Sequence, residues 1–138
     1  MRVVADTNVL VSALIFPGGS PEAVYRLVLE RRMELVSSRP LLAELARVLT
    51  DKFGWKPDRA EEAVAQLVRL AEIVEPTEAV SEIEADPADN RVLEAAAEAG
   101  ADAIVSGDRH LLALGSWHGI SIETPASFLA DLPEERRS

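Results

Sequence analysis

Apolar positions along the chain change their period repeatedly. Val3-Val4-Ala5 is an unbroken run, Asp6-Thr7-Asn8 ends it, and Leu10, Val11, Leu14 and Ile15 then recur at i and i+4. The run suits a strand covered on both faces, and the spacing after it suits a helix packed by one side. The alternation continues. Phe16-Pro-Gly-Gly-Ser20 is a turn, with Ser20 as the expected N-cap and Pro21 at the first position of a second helix that buries Ala23, Val24, Leu27 and Val28. Residues 34–37 read as a second strand. Ser37 or Ser38 caps a third helix, with Pro40 in its first turn and Leu41, Leu42, Leu45, Val48 and Leu49 as its stripe. Phe53-Gly-Trp-Lys-Pro57 breaks that helix, and a fourth starts at Asp58, carrying Ala60, Val64, Leu67, Val68 and Leu70.

The second half repeats the theme. Ile73-Val74, stopped by Pro76, predicts a third strand, and residues 77–85 are acidic with no clear period. Asp86-Pro87 opens a fifth helix that stops at Gly100, a natural residue just past a helix end. Residues 103–106 form a fourth strand, turned by Gly107-Asp108 into a short helix around Leu111, Leu112 and Leu114. Ile120-Ser-Ile122 is a fifth strand, expected at the sheet edge, and residues 127–129 close with a helical turn. Strands alternating with helices predict an α/β fold, a parallel sheet with helices on both faces. One domain over residues 1–132 is expected, with 133–138 as a frayed tail.

Composition narrows the chemistry. The 138 residues can bury a core without a covalent or metal staple, and the absence of cysteine removes disulfides, thiolate metal sites and a cysteine nucleophile. No apolar run approaches about 18 residues, and Met1-Arg2 leads straight into a strand pattern. The expected location is therefore the cytoplasm, with no membrane partner. A net charge of −10 argues against a loose electrostatic grip on nucleic acid. It is compatible with an enzyme that gathers carboxylates round cations, and with a basic protein partner. There is no P-loop, no G-x-G-x-x-G and no G-x-S-x-G elbow.

The acids carry the remaining information. Asp6 and Asp108 each follow a short apolar strand and precede a helix, so a parallel sheet brings both to the same carboxyl edge, where open α/β sheets place ligands. Asp89, Val92, Leu93 and Ala96 share one helical face, so Asp89 lies along an apolar stripe, where a carboxylate needs a partner. Glu44 sits at the margin of its stripe, one turn from Leu41 and Val48. Each of Asp6, Asp86, Asp89 and Asp108 also reads as a helix cap or first-turn acid. Converging carboxylates repel and raise their own pKa values, and Mg²⁺ or Mn²⁺ relieves this. Water held by such a cation can attack a phosphodiester in line, with no histidine base. His110 and His118 read as surface residues, Trp55 and Trp117 as packing or loop residues. Arg91 and Arg109 either hold phosphate or solvate a helix face.

Four segments in order carry a resemblance: Asp6-Thr-Asn-Val-Leu-Val-Ser-Ala13, Ser38-Arg-Pro-Leu-Leu-Ala-Glu44-Leu, Asp86-Pro-Ala-Asp89-Asn90-Arg-Val-Leu-Glu-Ala-Ala96 and Ala101-Asp-Ala-Ile-Val-Ser-Gly-Asp108-Arg-His-Leu-Leu112. Nearly the whole chain resembles the PIN-domain family of Mg²⁺-dependent ribonucleases, in particular the VapC-like toxins of prokaryotic toxin–antitoxin pairs. The resemblance implies a three-layer α/β/α fold with strand order 3-2-1-4-5. It implies an acidic quartet of Asp6, Glu44, Asp89 and Asp108 that holds one or two Mg²⁺ or Mn²⁺ ions, with Thr7 and Ser106 in support; Asn8, next to Thr7 in sequence, is expected to back Asp6 as well. It further implies RNA cleavage leaving 5′-phosphate and 3′-hydroxyl ends, a small antitoxin protein as inhibitor, and homodimers or higher oligomers. Many family toxins carry the third acid in a compact Asp-Ala-x-Ile-Ala-Ala segment. Here Asp89-Asn-Arg-Val-Leu-Glu-Ala-Ala96 is two residues longer, with Asp86 just upstream. Either aspartate can therefore be the metal ligand; the helical face favours Asp89, which leaves Asp86 to hold an outer water or cap the helix.

Three other readings compete. One is a housekeeping RNA-processing nuclease. Another is a non-catalytic PIN fold kept as a binding module. The third is a phosphoacceptor signalling domain, which needs an aspartate ending the third strand and a lysine after the last; here Glu75 ends the third strand, and the only lysines are Lys52 and Lys56.

Overall fold

The computed structural model describes residues 1–133, so residues 134–138 of the expected tail lie outside the described residues. The chain opens with β1 (Arg2–Ala5), α1 (Thr7–Ile15), α2 (Ser20–Leu29), β2 (Glu34–Ser38), α3 (Arg39–Asp51), α4 (Pro57–Leu70) and β3 (Glu72–Val74). It continues with α5 (Asp89–Ala99), β4 (Ala103–Val105), α6 (Arg109–Leu114), β5 (Ser116–Trp117), β6 (Ile120–Glu123) and α7 (Pro125–Asp131). The sheet order is β3-β2-β1-β4-β6-β5. All pairs are parallel except β5 with β6.

Alternation along each strand divides the interior in two. Val3, Ala5, Leu35, Ala103 and Val105 face a core built with residues of α1 to α4 and α7. Val4, Val36, Ile104 and Ile122 face a second core with Val92, Leu93 and Ala96 of α5 and Leu111 of α6. The period-2 strands thus supply both cores, as a sheet covered on both faces requires. Val4 is in register with Val36 and with Ile104. Two residues further on, the same row continues as Ser38, Asp6 and Ser106. Three strands therefore end in polar side chains on the face shared with α5.

The structure differs from the sequence expectation in several places. The sheet has six strands, and residues 120–123 are inside it, not at its edge. The edge is β5, joined to β6 by His118-Gly119. Both carry positive φ, 51° and 78°. A two-residue loop of this kind matches the right-handed twist of a hairpin. Trp117 is buried against the second core, and its ring stacks on His118 with centroids 3.9 Å apart. At α2 the cap is Gly19, and Ser20 is already helical; the Gly18 N–H is instead satisfied by Glu22 Oε1 at 2.9 Å. Ser38 is the N-cap residue of α3 but makes no capping hydrogen bond. The fifth helix begins at Asp89, not Asp86, because Asp86 to Ala88 form a turn whose carbonyls already accept from Asp89, Asn90 and Arg91.

Leu93 is fully buried beneath the polar end of the sheet. Leu93→Ala is expected to lower unfolding free energy by roughly 2–5 kcal/mol, the usual cost of a large-to-small core change. Urea denaturation followed by circular dichroism checks this.

Candidate metal centre

Asp6 ends β1 and is 5% exposed. Its carboxylate does not cap α1, although it stands at the cap position. It accepts instead from the Ser106 hydroxyl, Oγ to Oδ2 2.8 Å. The same Ser106 oxygen accepts the Asp108 N–H at 2.9 Å. One buried serine thus joins the carboxyl ends of β1 and β4 and fixes both aspartates. Asp108 does cap its helix: Oδ1 accepts from the backbone N–H of His110 at 2.7 Å and of Leu111 at 3.1 Å. This occupies one oxygen and leaves the other to the cluster.

Asp89 enters from α5. It is 6% exposed, and its Oδ2 has no hydrogen-bond donor. Asp86 sits just before the helix, and its Oδ1 takes the Ala88 N–H at 3.1 Å. Oxygens of Asp86, Asp89 and Asp108 all lie within 4.8 Å of one another. Glu44, half-buried on α3, feels the charges of Asp6 and Asp86. Asp6 lies outside this trio and reaches it through the Ser106 bridge and the Asp108 charge, and Glu44 stands at the margin. Asp86 is inside the cluster and not simply a cap.

The supporting residues divide. Ser106 is the central bridge. Thr7 is buried with its hydroxyl unpartnered among the described residues. Asn8 is exposed and contributes its N–H towards Asp6. Arg91 is tied to Glu94 at 2.8 Å, an engagement on its own helix. Arg109 is exposed beside Asp108. Ser38 was not singled out as a site residue, yet it lies in the same row as Asp6 and its buried hydroxyl also lacks a partner. The signal that finds it is strand register, which a single sequence does not display.

Electrostatics follow from the crowding. Burial pushes the Asp6 carboxyl up, the Ser106 hydroxyl pulls it back, and the Asp108 charge pushes it up again. Glu44 is raised by burial and then by Asp6, with Arg47 opposing. Asp89 is pushed up to about 7, first by burial, then by sharing a proton with Asp108 and by the charges of Asp108, Asp86 and Asp6. Burial opposes ionisation of Asp108 too, but the Leu111 N–H, the proton held by Asp89 and the His110 N–H outweigh it and hold Asp108 below the usual range. The two titrate as a pair, with the proton on Asp89.

An orphaned buried carboxylate oxygen, neighbouring carboxylates and no nitrogen or sulfur donor among them form a donor set that fits a hard divalent cation. Such a cation would replace the shared proton. Without it, the raised Asp89 costs stability as pH rises. Below about 4 both folded and unfolded chains hold the proton. Between there and about 7 only the folded chain does, so unfolding free energy falls with pH across that window. The depressed Asp108 acts in the opposite sense and reduces the net effect. In EDTA, Asp89→Asn is therefore expected to raise the thermal midpoint at pH 7 and to leave it nearly unchanged at pH 4. Differential scanning calorimetry at the two pH values tests this, and equal shifts at both would contradict it.

The sequence matches the PIN domain family over residues 2–110. No curated protein matches it significantly. Among solved structures, a chain of VapBC2 from Rickettsia felis bound to a fragment of promoter DNA aligns with TM-score 0.62 at 15% identity, over 90% of this chain and 98% of that one. VapC20 from Mycobacterium tuberculosis, a toxin that cleaves the sarcin–ricin loop, aligns with TM-score 0.60 at 16% identity, over 86% and 98%. VapBC-1 from nontypeable Haemophilus influenzae gives 0.59 at 14% identity, over 91% and 99%. At these identities the likeness is one of fold, and it spans almost the full length of each neighbour. With the family match extending from β1 to the start of α6, the chain belongs to the PIN domain family.

Proposed function

We propose that this chain is a divalent-cation-dependent endoribonuclease and serves as the toxin of a toxin–antitoxin pair. The observation that carries the reading is the gathering of Asp86, Asp89 and Asp108 oxygens within 4.8 Å of one another, on the sheet edge where buried Asp6 ends β1. Family membership supports it, as does the fold shared with VapC20, described as a sarcin–ricin-loop-cleaving toxin, and with two VapBC structures. RNA is the substrate, Mg²⁺ or Mn²⁺ the cofactor, and a small antitoxin protein the inhibitor. The protein works as a homodimer in the cytoplasm.

The residues divide the work. Asp6, Asp89 and Asp108 hold the cation, with Glu44 completing the set from α3 and Asp86 from the turn before α5. Ser106 keeps the Asp6 carboxylate aimed at the cluster and ties it to Asp108. Thr7 and Asn8 back the Asp6 carboxylate. Arg109, exposed next to Asp108, is the cationic side chain available to a phosphate. A bound divalent cation supplies an acidified water as nucleophile and offsets charge on the phosphate in the transition state. The surrounding carboxylates give a phosphodiester no favourable contact of their own, so attraction to RNA depends on the cation load.

Mn²⁺- or Mg²⁺-dependent cleavage of RNA is expected, lost with EDTA. Asp6→Asn and Asp89→Asn are each expected to lower it at least about a hundredfold while leaving the far-ultraviolet circular dichroism unchanged. Full activity in both variants would remove the cluster from the reaction. Mn²⁺ binding without any cleavage of RNA would favour a binding module. Induced expression in a bacterial host is expected to arrest growth, and Asp6→Asn to relieve the arrest.

A further inference from the structure

The arch between β3 and α5 is fastened to α5 by one face of that helix. Asn90, Glu94 and Glu98 stand at i, i+4 and i+8 and so lie in line. Glu98 Oε1 accepts the Thr77 N–H at 2.9 Å and the Thr77 hydroxyl at 3.1 Å. Glu94 Oε2 accepts the Val80 N–H at 2.8 Å. Asn90 Oδ1 accepts the Ile83 N–H at 2.9 Å, and Asn90 Nδ2 donates to the Ile83 carbonyl at 2.8 Å. Residues 77, 80 and 83 thus run antiparallel to residues 98, 94 and 90, one rung every three residues of arch and every four of helix.

The Asn90 rung differs from the others. It is buried, it engages both backbone groups of one residue, and the Ile83 side chain it holds is itself in the second core. A neutral amide offers an acceptor and a donor in one plane, as a neighbouring strand would. A carboxylate there would set an oxygen against the Ile83 carbonyl. Asp86 follows Ile83 by three residues. On its other side the Asp86 carbonyl accepts the Asp89 N–H at 3.0 Å. Asp86 is therefore held between the Asn90 rung and the first turn of α5, and those two anchors fix where its carboxylate lies relative to Asp89 and Asp108.

We propose that Asn90 is a positioning residue for the cation site: through Ile83 it brings Asp86 to the other carboxylates, with Glu94 and Glu98 anchoring the rest of the arch. This rests on the reading of Asp86, Asp89 and Asp108 as cation ligands. Asn90 spends both polar ends of its side chain on Ile83, so it acts through Asp86. The arch is otherwise a loop rich in glutamate, and an exposed aspartate on such a loop would not stay close to two like charges without being held there.

The test is Mn²⁺ titration of the full chain by isothermal calorimetry, well below the thermal midpoint. Asn90→Ala and Asp86→Asn are each expected to weaken Mn²⁺ binding about tenfold. The double variant is expected to bind no more weakly than Asp86→Asn alone, because both changes remove the same contact. Parental affinity in Asn90→Ala, or a double variant whose losses add, overturns the proposal and leaves Asn90 a structural residue. Parental affinity in Asp89→Asn as well would overturn the site reading itself. If Asn90→Ala does not fold, the far rung decides: Glu98→Ala is expected to weaken Mn²⁺ binding a few-fold and Glu98→Gln, which keeps the accepting oxygen, to restore it. Equal affinity in the two overturns the proposal.

Discussion

Repulsion among carboxylates crowded at one edge of a sheet is the constraint around which this molecule is arranged. Such a cluster exists only if other interactions hold it, because each acid alone would move into water. Three devices do this. The parallel register of β1 and β4 brings Asp6 opposite Ser106, with Asp108 two residues further along the same edge. The Ser106 hydroxyl donates to one aspartate and accepts the backbone N–H of the other. The apolar face of α5, with Val92 and Leu93 fully buried, drives Asp89 down beside them. Burial energy in the second core thus offsets the electrostatic cost of the site above it, and the raised Asp89 is a measure of that cost.

Much of this was legible in the chain. Asp6 and Asp108 each close a short apolar run and open a helical one, and parallel topology does the rest. Asp89 was legible because helix period is regular enough to show a carboxylate in an apolar stripe. Glu44 was not: a boundary glutamate on a helix reads as a solvated one, and only the likeness to a family marked it. The place of Asp86 stayed open between ligand and cap because residues 77–85 have no period, and their order comes from side chains on a helix that follows them. The Asn90 contact to Ile83 spans seven residues and leaves no pattern in hydrophobicity. The sixth strand was missed because β5 has two residues, and its signal was a His118-Gly119 turn between two apolar residues. The expected start of α5 at Asp86 was early because a proline after an aspartate marks a turn as readily as a helix.

The arginines show where the chain's net charge of −10 is spent. Arg2 reaches Glu34 and Glu72 and the Ala99 carbonyl at the amino edge of the sheet, opposite the acids. Arg26 pairs with Glu22, and Arg91 with Glu94. These contacts neutralise acids elsewhere while leaving the cluster at the carboxyl edge without an arginine partner among the described ion pairs. Carboxylates therefore dominate the field there, offset only in part by Arg47 near Glu44 and by His110 near Asp108, and a field of that sign favours a small divalent ion over monovalent ones.

The Ser106 bridge joins residues 100 positions apart in the chain. Asp6 is made a hundred residues before the partner that aims it, and Asp108 follows that partner by two more. Between those two points of synthesis a nascent chain carries Asp6 with no site around it. The acidic edge stays incomplete until the sheet has received β4 and the turn after it, whatever ions surround the growing chain. Any truncation ahead of β4 removes the Ser106 bridge and Asp108 together, and leaves Asp6 buried without the hydroxyl that holds it.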